Sequence, residues 1–291
     1  MTFACPSGRR AFLLLNFTMY IGIDIGGTHI RVASGIDGEI KEKLDFSTRE
    51  FHASLQEIKQ AVERLSQGNR VRKIGVGVPG PLDTRKLKLL KPPNLIGWDN
   101  IEIGDLFKKI FGVEVVIAND ASAAALGEAL YGAGKGKNPV LYYTVSTGIG
   151  TGFIVGGKIF HGIINPEAGH QIVNREGPKH KGAPAGDLES LSSGTALKRL
   201  YGETPAEIEG SSEWVEAIDW LAIGLTNSIL HYSPEIVVIG GGMTKHKSAF
   251  FVPLNRAVTK YLKEVPIVPI VPSGLGQDSG IIGALALAQQ E

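Results

Sequence analysis

The sequence predicts an α/β fold in which two related domains flank a cleft, and three observations predict it. A glycine-rich turn follows an apolar strand in each half: Gly26-Gly27-Thr28 after residues 20–25, and Ser146-Thr147-Gly148-Ile149-Gly150-Thr151-Gly152 after Tyr143-Thr144-Val145. Each turn leads into a second strand, over 29–35 and 153–160, and not into a helix. Apolar strands then alternate with amphipathic stretches through a chain of 291 residues, long enough for two cores.

The elements follow in order. Ser54-Leu55-Gln56-Glu57 reads as a capping box, and Leu55, Ile58, Val62 and Leu65 share one helical face behind it. A buried strand over 74–78 ends in the turn Pro79-Gly80-Pro81, and residues 91–98 (Lys-Pro-Pro-Asn-Leu-Ile-Gly-Trp) hold too many breakers for anything but a loop. A short helix over 105–111 stops at Gly112, and a strand over 113–118 delivers Asn119 and Asp120 at its end. The second half repeats the plan with a helix over 121–131, the strand and turn, and a hairpin at Gly156-Gly157. A polar loop over 165–187 and further helices follow. Trp214, Ile218, Leu221, Leu225 and Ile229 mark a long helix that feeds a strand over 236–239 and a third turn, Gly240-Gly241-Gly242. Helix, strand and a last helix over 280–289 close the chain. The expected division is a non-structural extension over 1–18, a smaller domain over 19–118 joined by the terminal helix 279–291, and a larger one over 119–278.

Bulk properties narrow the partners. A net charge of +1 without a basic run gives no electrostatic footprint for nucleic acid. Cys5 is the only cysteine, which excludes an internal disulfide and a cysteine-based zinc site and fits a reducing cytoplasm. Arg9-Arg10 before Ala11 to Leu15 resembles the start of a signal peptide, but no cleavage site follows and the apolar run is too short to span a bilayer. A start codon placed upstream of Met19 would account for the extension.

The two turns are unlike a Rossmann fingerprint, which opens a helix, and lack the Gly-Lys-Ser/Thr ending of a P-loop. Either they are ordinary hairpin turns or they clamp phosphate, with glycine exposing backbone N–H groups and Thr28, Ser146, Thr147 and Thr151 adding hydroxyls. Asp120, at a strand end, is either a helix cap or a general base. Asp24 beside phosphates makes sense if Mg2+ lies between them.

Taken together, these segments resemble the ROK family of sugar kinases and sugar-responsive repressors, and its glucokinase members most. Asp24-Ile25-Gly26-Gly27-Thr28-His29-Ile30-Arg31 is similar to the first phosphate motif of the actin-like, ribonuclease H-like ATPase fold, and residues 146–152 to its second. Asn119-Asp120-Ala121 through Glu128 resembles the family's catalytic segment, and Pro93-Asn94-Leu95 with Trp98 its glucokinase loop. The resemblance implies ATP bound by Asp24, Gly26, Gly27, Thr28, Ser146, Thr147, Gly148, Gly150, Thr151, Gly152 and Gly240 to Gly242, including Gly241, with Mg2+ at Asp24. It implies a sugar held by Asn119, Asp120, Glu167, His170, Glu189 and Gly80, and Asp120 as the base. The expected activity is glucokinase, with fructose, mannose or an N-acylhexosamine as alternative substrates. The expected assembly is a homodimer in the cytoplasm, without membrane or nucleic acid.

One segment departs from the pattern. Family members usually follow a Glu-x-x-Gly-His-like segment with cysteines that hold a structural zinc. Here Glu167-Ala168-Gly169-His170 is present, but the cysteine positions carry His180, Gly182 and Asp187, so no structural zinc is expected. A sugar-sensing repressor is the rival from another class, and the short stretch before the first strand leaves little room for its DNA-binding module.

Overall fold

A computed structural model describes residues 19–83, 87–92, 95–179 and 184–290. The expectations for the extension over 1–18 and for Pro93, Asn94, His180 and Gly182 lie outside the described residues. The first half contains β1 (Met19–Ile25), β2 (His29–Ile36), β3 (Glu39–Ser47), α1 (Phe51–Ser66), β4 (Val71–Val78), a small hairpin of β5 (Leu82–Asp83) and β6 (Lys88–Leu89), α2 (Ile103–Phe111) and β7 (Glu114–Asn119). The second contains α3 (Asp120–Tyr131), β8 (Val140–Val145), β9 (Ile149–Val155), β10 (Lys158–Ile159), α4 (Leu188–Ser192), α5 (Gly194–Tyr201), α6 (Ser212–Tyr232), β11 (Ile236–Gly240), α7 (Lys247–Leu262), β12 (Ile270–Pro272) and α8 (Ser279–Gln289).

The two halves repeat one topology. The sheets run β3-β2-β1-β4-β7 and β10-β9-β8-β11-β12, each with an antiparallel meander at one side and parallel strands at the other. Alternation decides what each face of the first sheet packs against. Ile21, Ile23, Ile25, Ile74, Val76 and Val78 enter a core with α1 and α2. The intervening Gly22 and Gly75 face α8, which lies so close that a Cβ on Gly75 would sit 2.0 Å from the Ala284 carbonyl oxygen. Asp24 continues that glycine stripe and therefore faces the same way.

On the second sheet α3 takes the place of α8, while α6 and α7 cover the other side through Trp214, Leu221, Phe250 and Leu254. A Cβ on Gly152 would lie 2.5 Å from Ala125 Cβ and 2.8 Å from the Ala121 carbonyl oxygen. Helices α3 and α8 cross between the sheets at similar range: a Cβ on Gly283 would fall 1.7 Å from the Ala123 carbonyl oxygen. Each of these helices follows a strand of one sheet and lies on the other sheet.

Two expectations need correction. Ser54 is not the cap of α1: Glu50 is, accepting from the Ala53 N–H at 2.9 Å, and Ser54 sits buried inside the helix with its hydroxyl turned back to Arg49. Strand β3 was not anticipated, because its Glu-Ile-Lys-Glu-Lys-Leu-Asp pattern sits at a sheet edge where charge hides the period of two. Among the described residues no helix is long and apolar enough to cross a membrane.

Candidate active site

The site begins where β1 and β7 end side by side on β4. Gly77 of β4 lies between Asp24 of β1 and Asp120, the residue after β7: a Cβ there would be 3.8 Å from Asp24 Oδ1 and 3.7 Å from Asp120 Cα. Asp24 is buried against the start of α8, where only the missing side chain of Gly280 makes room for it. Burial raises the Asp24 pKa, although the Arg31 guanidinium, donating at 3.1 Å, offsets part of the cost. A buried carboxylate on a cleft edge is a hard oxygen donor of the kind Mg2+ takes in ones and twos.

Asn119, not Asp120, is the cap of α3. Its Oδ1 accepts from the Ala121 and Ser122 N–H groups, and its amide nitrogen faces Gly80, where a Cβ would lie 3.5 Å away. Asp120 follows as the first helical residue and accepts from the Ala121 N–H at 2.8 Å. Its pKa is pushed up to about 6, first by burial against the opposing Ala121 hydrogen bond, then by the charges of Asp24 and Glu167. The charge of Glu167 links Asp120 electrostatically to a second cluster. Glu167 is itself raised by burial, with His170 lowering it and Glu189 raising it. His170 Nδ1 lies 2.9 Å from Asp187 Oδ2, and Glu189 Oε2 accepts from the Ile149 N–H at 2.7 Å. Burial would lower the His170 pKa, but the Asp187 hydrogen bond and the charges of Glu189, Asp187 and Glu167 outweigh it, so the pKa is raised.

A cleft of about 670 Å³ runs away from Asp24 and Asp120 along Ser146, Gly240, Gly241, Gly242 and the start of α8. Gly241 has φ 99° and packs on Val145, where a Cβ would meet the carbonyl oxygen at 2.3 Å. Gly242 faces open space. Gly26, Gly27 and Thr28 form the β1–β2 turn beside the cleft, with the Gly26 N–H donating to the His29 carbonyl. Thr147 is exposed on the β8–β9 turn, and the start of α5 docks there through Gly194 N–H to the Ser146 carbonyl at 2.7 Å.

Four members of the second glycine motif have other work. Thr151 is buried, and its hydroxyl donates to the Pro166 carbonyl at 2.5 Å and accepts from the Ala168 N–H at 3.1 Å. It pins the loop that carries Glu167 and leaves no donor for a phosphate. Gly148 makes room for Glu189, whose Oε2 would lie 2.6 Å from a Cβ there. Gly150 and Gly152 let α3 approach β9, with Ala121 Cβ 3.0 Å and Ala125 Cβ 2.5 Å from the added carbons.

Several cleft residues were not singled out from the sequence. Arg31, Lys245 and Lys247 line it, and the signal for Arg31 was available, because it is the cross-strand partner of Asp24 about a tight turn. Glu128 is fully buried in α3 and accepts from Ala133, Gly274 and Leu275 N–H groups and from the Ser273 and Ser279 hydroxyls. It thereby holds the 273–279 loop that walls the cleft.

The family model described as ROK family matches residues 20–291. A glucokinase from Thermotoga maritima is 30% identical over 93% of this chain and 97% of its own length. A putative fructokinase from Bacillus subtilis is 32% identical over 92% and 95%. The crystal structure of a ROK family glucokinase from Streptomyces griseus, in complex with glucose and AMPPNP, superposes with a TM-score of 0.80 at 28% identity, covering 94% of this chain and all of that one. With its two repeated sheets around a cleft the fold is the actin-like ATPase fold, and the chain belongs to the ROK family.

Proposed function

We propose that this protein is an ATP- and Mg2+-dependent sugar kinase, a glucokinase, that transfers the γ-phosphoryl group to the terminal hydroxyl of glucose. The observation that carries the reading is Asp120, a carboxylate pushed up to about 6 that lines the cleft and also feels the charge of Glu167. Its position suits a group that takes a proton from a hydroxyl on one side while a phosphoryl donor lies on the other. The Streptomyces griseus relative, solved with glucose and AMPPNP, supports both ligands.

In this reading Asn119, Glu167, His170 and Glu189 recognise sugar hydroxyls, and the cost of leaving such polar groups unpaired gives selectivity. Gly80 admits the sugar beside the Asn119 amide. The nucleotide lies along Ser146 and Gly240 to Gly242, with its phosphates toward Gly26, Gly27, Thr28 and Thr147. Asp24 would hold Mg2+, directly or through water, and the ion would supply charge neutralisation at the phosphates. Asp120, ionised at neutral pH, accepts the hydroxyl proton as the oxygen attacks phosphorus.

The fructokinase relative favours fructose as the second substrate. Coupled ATP consumption with glucose, fructose, mannose and their N-acetylated amines tests the proposal. The expected result is sugar-dependent turnover with the highest kcat/KM for glucose. A higher value for fructose moves the assignment to fructokinase, and no sugar dependence overturns it.

A further inference from the structure

His170 and Glu189 come from separate segments, yet one side chain governs both. Asp187 is wholly buried. Its Oδ2 lies 2.9 Å from His170 Nδ1, and its Oδ1 accepts from the Ser190 N–H at 3.0 Å, which caps the helix that carries Glu189. The backbones around it are joined as well: Leu188 N–H donates to the Gln171 carbonyl, Val173 N–H to the Gly186 carbonyl, and Ile172 forms a bridge with Asp187. The Thr151 hydroxyl holds the other end of the histidine segment at Pro166 and Ala168. The imidazole is thus fixed at one nitrogen on a pinned turn, with 44% of its side chain exposed.

We propose that Asp187 is a positioning residue that sets the chemistry of the sugar-facing histidine. An ionised carboxylate only accepts hydrogen bonds, so it keeps a proton on His170 Nδ1, and once the pH is above the raised pKa of the ring it leaves Nε2 as an acceptor for a sugar hydroxyl. The surrounding carboxylates of Glu167 and Glu189 are also acceptors. A ring nitrogen beside them completes a set matched to a ligand that offers O–H donors at several points. The inference rests on the reading of His170 and Glu189 as sugar residues.

The two oxygens of Asp187 have separate partners, and this makes Asp187→Asn informative. The asparagine oxygen can keep the helix cap, where Asn is as good as Asp. Its NH2 group then faces His170 Nδ1, which must become the acceptor, and the ring proton moves to Nε2. The fold survives while the nitrogen offered to the sugar changes from acceptor to donor.

The experiment records nitrogen-detected NMR of the histidine rings in the whole protein, with glucose binding measured by calorimetry. In the unaltered protein the neutral His170 ring should carry its proton on Nδ1. In Asp187→Asn it should carry it on Nε2, with glucose affinity reduced by about tenfold, the scale of one mispaired hydrogen bond, and AMPPNP affinity unchanged. An Nε2 proton on His170 in the unaltered protein overturns the proposal without recourse to any variant. So does stoichiometric zinc on the ring by elemental analysis, since the metal would then do the orienting. His170→Ala separates the two levels: if it leaves glucose affinity unchanged, the sugar-site reading fails. If it weakens glucose but Asp187→Asn changes neither tautomer nor affinity, the role of Asp187 alone fails.

Discussion

Arg31 stands directly across from Asp24 on the neighbouring strand and donates to its carboxylate at 3.1 Å. The same rung continues to Asp45 on β3, which accepts from Arg31 Nε at 3.2 Å. One arginine is thus held between two carboxylates, one buried at the cleft and one at the surface, and its charge is what makes an ionised Asp24 tolerable there. Replacing Arg31 with Met should raise the Asp24 pKa further and lower the affinity for Mg2+-AMPPNP by about tenfold, corresponding to ~1.4 kcal/mol. Calorimetry at constant pH checks this, and glucose affinity should stay the same.

Asp120→Asn should reduce kcat by roughly 10² to 10⁴-fold, the usual scale for removing a general base, while glucose still binds. It should also stabilise the protein at neutral pH. The folded-state pKa of about 6 lies above the ordinary 3.8, so the native state disfavours the ionised form. That penalty is absent below pH 3.8, grows through the interval and is complete above about 6. The variant should gain about 1–3 kcal/mol at pH 7.5 by linkage and nothing near pH 3.5. Thermal melts at the two pH values measure it, and a destabilised variant at pH 7.5 would contradict the assignment. The same ionisation predicts an acid limb near pH 6 in kcat/KM.

Gly148→Ala tests how the β8–β9 turn serves the sugar side. The added carbon would meet Glu189 Oε2 at 2.6 Å and displace the carboxylate from the Ile149 N–H. Steady-state kinetics should show the KM for glucose rising by about tenfold, a loss comparable to one charge-assisted hydrogen bond. The KM for ATP should change much less. The opposite pattern would return Gly148 to the phosphates.

Glu128→Ala should cost about 3 kcal/mol, because five donors, the buried Ser279 hydroxyl among them, lose one fully buried acceptor at once. The loop over 273–279 lines the cleft, so the KM for ATP should rise along with the drop in melting temperature. Denaturant unfolding and nucleotide titration give the two readouts.

The sequence carried the strand-turn-strand logic of both halves, because glycine turns between apolar strands are local signals. The pairing of Asn119 with Asp120 at a strand end was equally local. What it concealed is the reason for individual glycines. Gly242 lies at an open turn, whereas Gly152 admits a helix backbone, and the letter is the same in both cases. Thr151 looked like a phosphate donor because its partner, the Pro166 carbonyl, comes from a loop whose path is not written in any period. Asp187 was noticed only as a residue in place of a cysteine. Its bond to His170 depends on the bridge between Ile172 and Asp187, a long-range feature of a segment without strands.

The glycine stripe of the first sheet has a bearing on how the protein is made. Gly22 and Gly75 emerge early from the ribosome, but the helix that covers them, α8, is synthesised long after them. At ~5–20 residues per second the sheet waits on the order of tens of seconds for its cover. Throughout that time its opposite face can already be sealed by α1 and α2. What stays open is a shallow furrow of backbone with few apolar side chains, ending in a carboxylate. Such a surface offers little for another nascent chain to stick to, so building the late-covered face from glycine limits the apolar area the unfinished sheet exposes until α8 arrives.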